Sequence, residues 1–149
     1  MVAAARCFEL MMQRTLERKV FGKYMWEHGS CQEMIADSVA DLSAARLLTL
    51  SCAAALDDVG PRQARDQIAT IKVAVPAMTY RVVDRAVQVF GGAGVSQDFI
   101  LAQILAGLRT LRIADGPDAV HSRTVAILQV KKTQKQLEQQ KKNGRLSRL

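Results

Sequence analysis

Asp115 is the side chain with the most direct chemical use. It stands in Arg112-Ile113-Ala114-Asp115-Gly116-Pro117, a break between two helical patterns. A carboxylate held at a helix start and facing a pocket can serve as a general base. Asp-Gly is also an ordinary turn, and Asp close to Pro an ordinary cap. A second break, Gln88-Val89-Phe90-Gly91-Gly92-Ala93-Gly94-Val95, ends a helix in glycine. Missing side chains there let a phosphate or diphosphate approach the backbone amides. It follows a helix rather than a strand, so it is not a dinucleotide fingerprint of the strand-turn-helix kind. A third, Arg18-Lys19-Val20-Phe21-Gly22-Lys23, offers a guanidinium for a diphosphate and a ring for an adenine face. Read blandly, Arg18 is a surface cation and Phe21 a core aromatic. Helix ends are where a helical domain can hold an anionic cofactor.

The elements that must position these breaks are helices. Hydrophobic residues make up 49% of the 149 and aromatics only 5%, a balance that suits packed helices better than a sheet. The first helix is predicted over about Ala3 to Val20, with a loop from Gly22 to about Gly29. Ser30 is read as the cap of the second helix, with Glu33 completing a capping box. That helix runs from about Cys31 to Leu56, its apolar stripe being Ile35, Val39, Leu42, Ala45, Leu48, Cys52 and Leu56. Asp57-Asp58-Val59-Gly60-Pro61 stops it. The third runs from about Arg62 to Phe90, and Pro76 should kink it without ending it, because the stripe continues beyond. A shorter helix spans about Leu101 to Leu111, and the last begins at Asp118, after Pro117. The expected fold is all-α, an up-and-down four-helix bundle over residues 1–130, followed by a basic helical or disordered tail, 131–149.

Charge and cysteine usage narrow the classes further. The net charge is +7, but much of it lies between Lys131 and Arg148, where Glu138 is the one acidic residue. That pattern reads as a solvated helix face, and no nucleic-acid-binding motif accompanies it. No apolar run approaches the ~20 residues of a membrane span, so a soluble protein is predicted. Cys7, Cys31 and Cys52 have no metal or disulfide spacing and read as reduced, buried small hydrophobes. No metal site is predicted; His28 and His121 read as structural or exposed.

As an ordered set, the three breaks resemble the C-terminal helical domain of the acyl-CoA dehydrogenase family. Glu17-Arg18-Lys19-Val20-Phe21-Gly22-Lys23 is similar to its R-x-x-F-G segment. Ala86-Val87-Gln88-Val89-Phe90-Gly91-Gly92-Ala93-Gly94 is similar to its A-x-Q-x-x-G-G-x-G segment. Arg112-Ile113-Ala114-Asp115-Gly116-Pro117-Asp118 stands in the place of Y-E-G-T. Ala-Asp-Gly-Pro-Asp, with Asp for the more usual Glu, resembles the subgroup of acyl-CoA dehydrogenase family members 10 and 11. The likeness covers about residues 3–130.

The resemblance implies FAD as cofactor and an acyl-CoA thioester as substrate, in fatty-acid β-oxidation. Arg18 would meet the diphosphate of a neighbouring subunit's FAD, and Phe21 and Met25 its adenine. Gln88, Gly91 and Gly92 would meet diphosphate and ribose, while Gly116 and Pro117 lie along the cofactor. Asp115 matches the base that takes the α-proton while the β-hydride moves to flavin. A homo-oligomer, dimer or tetramer, is implied, with an electron-transfer flavoprotein as a possible electron acceptor. The family's N-terminal and middle β-domains are absent from this chain, so the chain alone is expected to be inactive. Ser147-Arg148-Leu149 resembles a C-terminal peroxisomal address; the alternatives are mitochondria or, for a bacterial source, the cytoplasm.

Overall fold

A computed structural model describes residues 1–142. Ser147-Arg148-Leu149 and the end of the basic tail lie outside the described residues. Five helices follow in order: α1 (Val2–Glu17), α2 (Gly29–Gln63), α3 (Arg65–Phe90), α4 (Leu101–Thr110) and α5 (Asp118–Lys142). A two-stranded hairpin, β1 (Lys19–Val20) and β2 (Lys23–Tyr24), lies between α1 and α2. The all-α bundle expected from composition is present, and the basic segment from Lys131 continues α5 as helix through Lys142.

The central helix is α3, against which α1, α2, α4 and α5 all pack. Its buried face carries Val82, Val83, Ala86, Val89 and Phe90. These meet Ala4, Cys7 and Met11 of α1, Cys31 of α2, and Leu101 and Leu108 of α4. The helix continues through Pro76, which is buried, and Thr79 Oγ1 donates to the carbonyls of Val75 and Pro76 nearby.

The contact between α2 and α3 corrects the predicted stripe. The buried residues of α2 are Cys31, Ser38, Ala45 and Cys52, each seven positions after the last. Small side chains at a seven-residue repeat let two helices lie close along a shallow crossing. Val39, expected inside, is exposed, as are Leu47 and Leu50. Ile35 and Leu42 of the stripe are half-buried against the core, so only part of the larger apolar surface of α2 faces away from it. By length and composition alone, α2 also meets what a membrane-crossing helix needs, contrary to the sequence expectation, although it is paired along its length with α3.

Four boundaries also move. The first helix ends at Glu17, because Lys19–Val20 pairs as a strand. The cap of α2 is His28, and Ser30 already lies inside the first turn; Glu27, whose Oε2 accepts from the Tyr24 amide at 2.7 Å, shapes the chain just ahead of it. Gly60 leaves helical geometry (φ 76°, ψ 170°) and, with Pro61 after it, breaks α2 near its end. The expected Gly60-Pro61 stop is therefore present, a few residues beyond Leu56, and α3 begins at Arg65 rather than Arg62.

Candidate active site

The hairpin is built around a strained tip. Val20 pairs with Lys23, so Phe21 and Gly22 form a two-residue turn, with φ of 49° and 80°. Glycine adopts that region freely; phenylalanine pays a steric penalty of roughly 1 kcal/mol. Phe21 is 99% exposed, so packing within this chain does not hold it there. Backbone ties hold the hairpin instead. The Met25 amide donates to the Arg18 carbonyl at 2.9 Å, and His28 Nε2 lies 3.1 Å from the Val20 carbonyl. A carbonyl only accepts, so that contact requires a proton on Nε2.

Beneath the hairpin lies a cavity of about 220 Å³. Phe21, Met25 and Gln88 all line it, together with His28, Cys31 and Met34. Three of the predicted cofactor residues, from two distant segments, thus converge. Arg18 is exposed at the hairpin's entry and does not line the cavity. Gly91 and Gly92 follow Gln88 at the end of α3 and are likewise exposed. Gly91 has φ 63°, and nothing lies within 4 Å of where a side chain would begin at either glycine. The backbone there is open to close approach by an anion. Gly94 differs: a Cβ would sit 2.5 Å from the Val87 carbonyl, so its role is packing. An apolar ring, an amide side chain and bare glycine backbone suit an adenine and diphosphate. The cavity is about 220 Å³, below the ~300 Å³ that a small-molecule site usually takes, so it is too small to enclose a whole dinucleotide.

Asp115 belongs to a second, separate cavity of about 630 Å³. Ile68, Ile71, Val75 and Pro76 of α3 give it an apolar wall, and Leu111, Asp115 and His121 close it from the α4–α5 side. Asp115 (φ 55°) and Gly116 (φ 99°) form a left-handed pair. The φ of 99° favours glycine at 116, and a Cβ there would also come within 2.9 Å of His121 Nε2, so the imidazole would have to shift. Pro117 leads into α5, where Asp118 is bonded to Arg112 through Arg112 Nε and Nη2, both at 2.7 Å. His121 Nε2 lies 3.1 Å from the Asp115 carbonyl. Lys72 Nζ donates to the carbonyls of Leu111 and Ala114 at 3.0 and 2.9 Å. The sequence reading missed Lys72. The signal was a lysine set between Ile71 and Val75 on a helix face that is otherwise apolar.

No residue lines both cavities. The predicted site residues therefore form two groups: the hairpin group with Gln88 and the glycines, and the base group of Asp115, Gly116 and Pro117. Elsewhere, burial raises the Cys7 thiol to about 11 against a small opposing effect of Arg6, and burial raises that of Cys31. These thiols are packing groups. Among the described residues no cluster of His, Cys, Asp and Glu could hold a metal.

A helical bundle with a glycine-ended central helix, a strained hairpin and a carboxylate loop defines a class that comparison with known proteins identifies. The profile of the acyl-CoA dehydrogenase C-terminal domain matches residues 1–127. The chain belongs to the acyl-CoA dehydrogenase family, as its C-terminal domain. It is 48% identical over 124 residues to acyl-CoA dehydrogenase family member 11 of Gallus gallus, covering 83% of this chain and 16% of that protein. A structure assigned as an acyl-CoA dehydrogenase of Mycobacterium abscessus superposes with TM-score 0.85 at 42% identity, over 87% of this chain and 32% of that one. The FAD complex of PigA superposes with TM-score 0.77 at 25% identity, over 83% of this chain and 32% of that one. The chain thus spans about one-sixth of the curated relative's length.

Proposed function

We propose that this chain supplies the base-bearing, flavin-completing part of an FAD-dependent acyl-CoA dehydrogenase. Asp115 carries the reading. It is a carboxylate in a left-handed loop, tied by its own backbone and its neighbours', opening on an apolar cavity of about 630 Å³. Its role is to take the α-proton of an acyl-CoA thioester, with the electron pair passing into the developing enolate. FAD, when bound, supplies the acceptor for the β-hydride. Asp is one methylene shorter than the family's usual Glu, so the substrate α-carbon must come closer to the loop backbone. Gly116 and Pro117 shape the adjoining surface.

The hairpin group serves a different flavin from the one beside Asp115, that of a neighbouring subunit. Two disjoint cavities in one chain support this division. Arg18 pairs with the diphosphate, Phe21 and Met25 cover adenine, and Gln88, Gly91 and Gly92 approach ribose and diphosphate. An FAD-bound relative of the same fold supports the cofactor. The outward apolar face of α2 supports a homo-oligomer. Fatty-acid β-oxidation with transfer of electrons to an electron-transfer flavoprotein, in peroxisomes by virtue of Ser147-Arg148-Leu149, completes the proposal.

The test uses the assembled flavoenzyme. Asp115→Ala should keep the yellow flavin absorbance and lose acyl-CoA turnover. Loss of flavin with the variant would make Asp115 structural and overturn its role as base. The chain without the family's other domains should turn over no acyl-CoA.

A non-catalytic interaction module is the second reading, favoured by the exposed Leu47 and Leu50 of α2. Self-association of the assembled protein that is indifferent to FAD, with Asp115→Ala silent in every assay, would establish it.

A further inference from the structure

We propose that Lys72 is a positioning residue for the reaction, holding the Asp115 loop in its working conformation. The proposal rests on Asp115 being the base. Residues 111–117 connect α4 to α5, and the last carbonyls of a helix lack intrahelical donors. The turn satisfies only some of its own groups: the amides of Ile113 and Ala114 both donate to the Thr110 carbonyl, and that of Arg112 to Arg109. Lys72 Nζ reaches across from α3 and donates to the carbonyls of Leu111 and Ala114, at 3.0 and 2.9 Å. Ala114 immediately precedes Asp115.

The tie has a specific mechanical meaning. A left-handed φ at a non-glycine residue persists only where the surroundings over-determine it. Around Asp115 the surroundings are few: Arg112–Asp118 stitches the loop's ends, and His121 meets the Asp115 carbonyl from α5. Both of those anchors come from the loop's own flanks, at Arg112 and on the first turn of α5. Lys72 alone among these ties joins the loop to the central helix, 39 and 42 residues away in sequence. Lys72 and Asp115 also line the same cavity, so the ammonium fixes the loop relative to the apolar wall along which a substrate would lie. A base must meet its proton within hydrogen-bond reach, and a displacement of about 1 Å costs on the order of 100-fold in rate.

The experiment mixes the FAD-loaded, assembled enzyme with acyl-CoA in the absence of oxygen and follows loss of flavin absorbance. Lys72→Met keeps the apolar stem and removes the donors. It should keep its flavin and slow flavin reduction about 10- to 100-fold at saturating acyl-CoA, with the half-saturating concentration within about threefold of wild type. Lys72→Arg restores donors and should recover to within about tenfold. Hydrogen exchange in Lys72→Met should quicken at residues 111–117 and stay unchanged across α3. A Lys72→Met rate within twofold of wild type, where Asp115→Ala is inactive, overturns this proposal and leaves the base assignment standing. Wild-type reduction by Asp115→Ala overturns both. Flavin loss, or faster exchange throughout α3 and α5, makes Lys72 a general structural cation and overturns the positioning role.

Discussion

Arg85 of α3 donates to Asp41 of α2 at 2.8 Å, and both side chains are largely buried between the two helices. Arg81, one turn earlier, donates to the same carboxylate, and Asp37 gives Arg85 a second, more exposed partner at 3.3 Å. Burial would raise the Asp41 carboxyl, but the hydrogen bonds and charges of Arg81 and Arg85 outweigh it and hold it below the ordinary carboxylate value.

A pH dependence follows from that depression. A carboxyl with a lowered folded-state pKa contributes stability that is present above its unfolded value, about 3.9, and is lost as the pH falls through the folded value. Asp41→Asn should therefore cost about 2 kcal/mol at pH 7, through two weakened charge-assisted bonds and two arginines left short of a partner. Urea unfolding at pH 7 and at pH 2–3 checks it: the gap between variant and wild type should close in acid. A gap that stays constant with pH would mean the carboxylate charge is not what joins the helices.

The strained hairpin separates folding from function. Phe21→Gly removes a left-handed phenylalanine and no internal contact beyond an edge-on approach to His28. Thermal stability should hold or rise slightly, by up to about 1 kcal/mol. FAD affinity of the assembled enzyme should fall about tenfold, measured by flavin retention on dilution. A drop in stability with flavin affinity intact would reverse the assignment of this ring.

The two glycines flanking Ala93 should behave oppositely. Gly94→Ala drives a methyl against the Val87 carbonyl at the end of the central helix and should cost about 2 kcal/mol or more. Gly92→Ala meets open space, so stability should change by less than about 0.5 kcal/mol while flavin retention falls. Calorimetry and flavin absorbance on the same samples give both readings.

The thiols should be silent. Cys7 is fully buried and its thiol is raised to about 11, and burial raises Cys31 as well. Neither should react with a thiol reagent at pH 7–8 until denaturant is added. Rapid labelling of either in the native protein would show that α1 or the start of α2 opens locally.

How much of this was legible in the sequence depends on where the information sits. The stripes of the long helices and the glycine end of α3 are local signals, and they placed the bundle and its breaks. The hairpin was lost because two-residue strands carry no periodicity, and Val20 reads equally well as the end of a helix. The burial of Ser38 and exposure of Val39 were lost because α2 uses small residues at its contact, where size rather than polarity decides what fits. Asp115, Gly116 and the Phe21 segment were singled out by motif order, and that order led to the family that the profile match shows. Lys72 showed in the sequence only as a lysine on an otherwise apolar helix face; its partners did not, because its bonds span about 40 residues and end on backbone carbonyls.

The separation of the hairpin cavity from the Asp115 cavity has a genetic consequence. If each flavin site draws its base from one subunit and its hairpin from another, two defective alleles can rescue each other. Co-expressed Asp115→Ala and Phe21→Gly chains would form mixed pairs in which one site inherits both defects and the other inherits neither. Each variant alone would be impaired, and the mixture would regain working sites without any chain being wild type.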